Sequence, residues 1–167
     1  MPFRGLALAV VALIALPAAL SDEPPGRIEF TPAEIADWAQ REFDGDVTYR
    51  LVHGDRPAVE AVAKDGAAAL YREIEIDVNE TPFLQWSWRV DELPSGDASE
   101  REKAGDDYAA RIYVVQEGLF GRISARALNY VWSRKLESGT RWPNAFTARA
   151  RMISVQQGDE RRGEWVR

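Results

Sequence analysis

Two carboxylates stand side by side at Asp106-Asp107, at the mouth of an apolar run that carries one arginine, Arg111. Carboxylates so placed can share a proton as an acid–base pair, ligate a hard cation, or hold a loop in place. Adjacent residues of a strand point to opposite faces, so the two are not expected to form a dyad on one site. A Ca2+ site built from oxygens of Asp106 or Asp107 with loop carbonyls is chemically reasonable; capping of the loop backbone is the commoner use. Arg111, and Arg89 within Leu84 to Val90, each need a partner, because a half-buried guanidinium is costly unless paired or hydrogen-bonded. Asp107 shares a strand face with Arg111, but four residues of rise separate their backbones by about 13 Å. The partner of Arg111 is therefore expected on another strand. The alternative is a guanidinium that grips an anionic or polyhydroxyl ligand in bidentate fashion.

Tryptophans offer a second chemistry, since flat aromatic faces pack against sugar rings. Trp86 and Trp88 alternate with polar residues beside Leu84 and Val90 and read as core. Trp142, between Arg141 and Pro143 in a stretch that reads as a loop, is the least core-like. His53, the single histidine, sits in the turn-like His53-Gly54-Asp55 and reads as surface. No nucleophile elbow, zinc-protease helix or phosphate-cradling glycine loop occurs. With no cysteine at all, disulfides, thiolate nucleophiles and cysteine-bound zinc are excluded.

The elements that must position these residues are mostly strands. Thr31-Pro32-Ala33-Glu34 has the form of a capping box with proline at the first helical position, so one or two turns of helix are expected through Ile35 and Trp38, stopping before Asp44-Gly45-Asp46. From Val47 the period becomes two. Alternating runs follow at Val47–Val52, Leu70–Val78, Leu84–Val90, Tyr108–Val115 and Leu128–Trp132, with a less regular one over 145–157. Asp-Gly and Asn/Pro turn signals separate them. No room remains for the helical crossovers of a parallel α/β fold, and seven or eight short strands predict an all-β, antiparallel sandwich or barrel. The longest connection, Asp91 to Asp107, carries seven acidic and two basic residues. It reads either as a solvated excursion or as a functional loop.

The first twenty-one residues differ from the rest. Arg4 is followed by sixteen uncharged residues, Gly5 to Leu20, and Ala19-Leu20-Ser21 supplies small residues for a cut before Asp22. This is the tripartite secretory signal pattern, too short for a comfortable membrane-spanning helix. The expected organisation is a signal peptide over 1–21, a leader over 22–30 and a β-sandwich domain over 31–167, located in the periplasm or secreted. No stable transmembrane anchor should remain after cleavage. Residues 22–121 carry 23 acidic against 10 basic side chains, and residues 122–167 carry 4 against 10. Attraction between the halves within one domain accounts for this split. Export and an acidic total argue against a nucleic-acid partner.

Three runs, Trp86-Ser87-Trp88-Arg89-Val90, Gly105 to Val115 and Asn129-Tyr130-Val131-Trp132, taken in order and spacing, resemble the bacterial domain of unknown function 3047 family. The resemblance covers roughly residues 35 to 167. It implies an exported, jelly-roll-like β domain and brings no activity, cofactor or catalytic residue. Family members continue past the equivalent of Glu164-Trp165 with closing strands, so a C-terminally incomplete sandwich prone to self-association is expected here.

The leading functional expectation is a binding module for a glycan or other polar cell-envelope ligand, with Arg89, Asp106, Asp107, Arg111 and Trp142 as its contacts. No catalytic residue and no cofactor beyond the Ca2+ option is assigned. The alternatives are a carboxylate-dependent polysaccharide hydrolase or lyase working from the 91–107 loop, or a purely structural envelope protein. Export is directly testable: expression in a Gram-negative host should remove Met1 to about Ser21. N-terminal sequencing that begins at Met1 in the soluble cytoplasmic fraction would refute it.

Overall fold

A computed structural model describes residues 9–16, 27–118 and 121–167, with side chains for 27–118 and 124–167. It is all-β apart from one short helix and one 3-10 turn. Among the described residues no helix is long and apolar enough to cross a membrane.

The helix α1 (Pro32–Ala36) forms where the capping box lies. The Thr31 hydroxyl accepts from the Glu34 amide at 3.2 Å, and the Glu34 carboxylate accepts from the Thr31 amide at 2.7 Å. The strands are β1 (Ala9–Leu16), β2 (Ala39–Val52), β3 (Ala58–Glu75), β4 (Ala110–Gly118), β5 (Gly121–Ser133), β6 (Arg141–Pro143) and β7 (Ala150–Gln157), and η1 (Lys103–Gly105) is the 3-10 turn. They form one seven-stranded sheet in the order β2-β3-β1-β4-β5-β7-β6. The β2–β3, β4–β5 and β6–β7 pairings are antiparallel, whereas β1 runs parallel to both its neighbours and β5 runs parallel to β7. The sheet is thus mixed, a finer point than the all-β class.

Three expectations about elements change. Asp44-Gly45-Asp46 and Asp65-Gly66 are bulges inside one long hairpin rather than turns that end strands. They face each other where the β2–β3 register shifts. Gly45 has φ +48°, Asp65 has φ 49°, and a Cβ on Gly45 would meet the Asp65 carbonyl oxygen at 2.0 Å. Residues that tolerate the left-handed region suit a bulge as well as a turn, so their composition alone does not tell the two apart. Leu84 to Val90, which reads as a strand, makes only one bridge, Trp88 with Val166, through two backbone hydrogen bonds of 2.9 Å. Alternation there reports an extended chain with one covered side, not a strand with neighbours. Trp142 is not in a loop: it is the centre of β6, opposite Met152, and only 2% exposed.

The sheet carries a core on each face. On one face Tyr108, Val131, Trp142 and Met152 pack together with Ala69. On the other, Ala109, Ala110 and Trp132 are covered by Val90 and Val166, with Trp88 and Leu93 alongside. Cross-strand register explains this division. Arg111 pairs with Val131 and Tyr113 with Asn129, while Trp132 falls on the alternate side.

The 91–107 loop is pinned rather than solvated. Glu100 is 4% exposed, and its carboxylate accepts from the Ser133 hydroxyl at 2.7 Å and from the amides of Arg134 and Lys135 at 2.9 and 3.1 Å. Arg134 returns the tie by donating to the carbonyls of Gly96 and Ala98. A Cβ on Gly105 would lie 2.2 Å from the Ser99 carbonyl oxygen, so only glycine lets the loop close on itself there. Replacing Glu100 with alanine should strand buried donors and cost about 3 kcal/mol, seen as a lower urea midpoint at unchanged m. Asp97→Ala breaks an exposed pair with Lys135 and should cost less than about 1 kcal/mol.

Candidate functional site

With Gly105 packed against the loop, Asp106 is carried inward beneath β4. Its Oδ1 accepts from Arg111 Nη2 at 2.9 Å, and its own carbonyl accepts from the same nitrogen at 3.4 Å. Arg111 Nη1 donates to the Tyr113 hydroxyl at 2.5 Å, and the guanidinium carbon lies 4.5 Å from the centre of the Tyr108 ring. Asn144 Nδ2 reaches Asp106 Oδ2 at 3.5 Å. The side chains of Arg111 and Asp106 are 5% and 6% exposed. Burial works against the Arg111 charge, and Tyr113 and Asp106 more than restore it. Burial also holds the Tyr108 phenol well above its ordinary range, while its hydroxyl donates to the Glu100 carbonyl at 3.0 Å.

Asp106, Arg111 and Trp142 therefore meet in one closed core, where a ligand could touch them only after the ion pair opened. The partner of Arg111 is not on another strand, as alternation along β4 suggests, but on the loop five residues upstream. The chain bends at η1 before it enters the strand, so Asp106 is not bound by strand alternation. Asp107, the next residue, is exposed. Lost hydration at the edge of the core raises its pKa, and the guanidiniums of Arg134 and Arg111 pull it back. Arg89 is on the segment that covers the opposite face, half exposed and paired with Asp91 at 2.7 Å. His53 is exposed in the β2–β3 connection. Among the described residues no three histidine, aspartate or glutamate side chains converge as metal ligands would, and the Asp106 carboxylate is already engaged by Arg111 and Asn144.

Open concavities lie elsewhere; one of about 580 Å3, between α1 and β3, is lined by Glu34, Asp37, Trp38, Tyr71, Arg72 and Glu73 among others. Leu84, Gln85, Trp86, Trp88, Val155, Val166 and Arg167 line a half-open cleft of about 310 Å3 over the second core. Trp86 and Trp88 meet edge-to-face at 5.5 Å, Trp86 leans on Tyr130 at 5.3 Å, and Trp88 leans on Trp132 at 6.0 Å. At the rim Arg167 donates to Gln85 Oε1 at 2.9 Å. Sequence reasoning gave Trp86 and Trp88 to the core and passed over Gln85 and Arg167. The signal was the apolar and aromatic density of Phe83, Leu84, Trp86 and Trp88 within six residues. With Phe83 87% and Leu84 39% exposed, that is more apolar surface than one covered side can absorb.

The buried pair makes a definite energetic prediction. Arg111→Met should strand the Asp106 carboxylate and cost about 3 kcal/mol or more. Adding Asp106→Asn should recover part of that loss, because the uncompensated charge is gone. Chemical denaturation of the three proteins measures the coupling.

No curated protein and no solved structure matches the chain. A family model does, that of the protein of unknown function DUF3047, over residues 36–167. The match runs from the end of α1 through both cores, the buried ion pair and the cleft. On that extent this chain belongs to the DUF3047 family.

Proposed function

We propose that the chain is an exported binding module that takes a glycan or similar polar envelope ligand in the cleft beneath Trp86 and Trp88. The observation that carries this reading is a half-open cleft lined by Trp86 and Trp88, which lean on Tyr130 and Trp132 behind them, and rimmed by the amide of Gln85 and the guanidinium of Arg167. Sugar rings present an apolar C–H face and a periphery of hydroxyls. A tryptophan face takes the first, and Gln85 with Arg167 can take the second. Cleft volume falls near the lower end of the roughly 300–1,000 Å3 typical of small-molecule sites. The signal-peptide pattern of residues 1–21 supports a location in the periplasm or outside the cell, where such ligands are.

A hydrolase or lyase would need carboxyl groups facing each other across a cleft, about 5 to 10 Å apart for a glycosidase. Among the described residues lining this cleft there is no aspartate or glutamate, so this cleft does not supply such a pair. Of the contacts expected from sequence, Arg89 and Asp107 remain available at the surface, whereas Asp106, Arg111 and Trp142 serve as the buried frame.

Titration of the purified protein with soluble peptidoglycan fragments and envelope oligosaccharides should give a saturable change in tryptophan fluorescence. Trp86→Ala, with its circular dichroism unchanged, should weaken that binding about tenfold, equivalent to ~1.4 kcal/mol. Gln85→Ala, at an exposed rim position, should weaken it without touching the core. Saturable binding that both variants leave unaltered would place the ligand elsewhere.

A further inference from the structure

The seven-stranded sheet is continuous only through β1. Strands β3 and β4 are not bonded to each other. Each pairs with β1, from Ala9↔Ala68 to Leu16↔Glu75 on one side and from Ala9↔Ala110 to Ala15↔Gln116 on the other. Two strand spacings put β3 and β4 about 9.6 Å apart, too far for direct hydrogen bonds and the width of one strand. Yet Ala9 to Leu16 is also the middle of the apolar run that reads as a secretory signal. One segment therefore answers to two descriptions, a piece removed on export and the strand that joins two halves of the sheet.

Both walls of the slot lie outside the signal. Cleavage before Asp22 would leave β2–β3 on one side and β4–β5–β7–β6 on the other, with two rows of amides and carbonyls facing across an unfilled gap. Backbone groups left unpaired in such a place cost about 1–3 kcal/mol each unless something reaches them. The strand that lies there, AVVALIAL in sequence, is extended, parallel to both walls and paired along both edges. Such uniformly apolar composition is that of a strand covered on both faces. At the end where Ala9 lies, the walls are the small residues Ala68, Ala69 and Ala110.

Resting on the export reading above, we propose that the processed chain carries a strand-acceptor slot between β3 and β4. It is filled in trans by an extended, uncharged apolar segment of a partner polypeptide, parallel to both walls. Main-chain hydrogen bonds on two edges supply the affinity, as in other strand-addition complexes. This partner site is separate from the glycan cleft, which lies over the second core.

The test begins with the full chain exported from a Gram-negative host and its product sequenced from the N-terminus. A product starting at Met1 overturns the export reading, and the slot with it, before any ligand is added. With the processed product in hand, the probes are a synthetic peptide of residues 9–16 flanked by lysines and the same peptide with proline replacing Leu13. The unmodified peptide should bind with one-to-one stoichiometry and raise the melting temperature. The proline peptide should bind at least about tenfold more weakly, since it can neither donate at that position nor keep the strand straight. If the processed chain is not cooperatively folded alone, the first peptide should restore near-ultraviolet dichroism on refolding and the second should not. Equal binding of both peptides, no response to either, or a processed chain that closes the slot by dimerising and excludes the peptide would each overturn the proposal.

Discussion

A guanidinium in the middle of a strand at 5% exposure sets the terms for everything around it. Arg111 cannot lose its proton and cannot stay buried unpaired, so a carboxylate and further acceptors must be brought to it. The chain supplies them by bending the end of the 91–107 loop inward at Gly105 and Asp106, and by placing the Tyr113 hydroxyl two residues along the same strand. That bend in turn sets Tyr108 over the guanidinium and directs its hydroxyl to the Glu100 carbonyl. Glu100 then fastens the loop to the end of β5. Packing of Trp142 and Met152 around Tyr108 closes this face of the sheet. The Arg111–Asp106 pair at its centre is buried and holds the shape of this face.

The opposite face is built differently, and that difference leaves a cleft there. It is covered not by a second bonded sheet but by a single extended segment, 84–93, and by the strand-like end of the chain, tied to each other at Trp88 and Val166. Large aromatic rings meeting at 49° to 78° cannot tile a surface as completely as aliphatic side chains do. The residual space is the cleft, and a rigid aromatic wall with few torsions loses little entropy when it meets a ligand.

The sequence was legible where local physics decides. The capping box at Thr31–Glu34 became α1, and the alternating runs around Leu70, Ile112 and Tyr130 became β3, β4 and β5. It was illegible where a neighbour decides. Alternation over Leu84 to Val90 records one covered side, and only the tertiary arrangement reveals that no strand lies beside it. Trp142 reads as a loop residue because Arg141 and Pro143 flank it, yet a three-residue edge strand needs no more than one inward side chain, and an edge tolerates proline. Of the candidate contacts, Asp106 and Arg111 both carry a charge that the sequence marks, but their mutual pairing is hidden because strand periodicity does not hold upstream of Ala110, where β4 begins. Cleft residues Gln85 and Arg167 are far apart in the chain and carry no local signature.

The same distinction between local and tertiary information bears on Ala9 to Leu16. An uncharged run of Ala, Val, Leu and Ile satisfies an export apparatus that reads hydrophobicity, and it equally satisfies a strand covered on both faces, since neither asks for alternation. Periodicity therefore cannot separate the two roles. Hydrogen bonding can, because an export signal leaves no permanent partners behind whereas a central strand bonds along both edges of its length. In this fold the walls that would bond it, β3 and β4, belong to the part of the chain that resembles its family, and the strand between them does not. A sheet whose family-matching strands are joined only by a segment outside that match has a gap in its own hydrogen-bonding pattern. If export removes that segment, whatever takes its place must bring hydrogen-bond donors and acceptors to both walls, which a lipid tail cannot do.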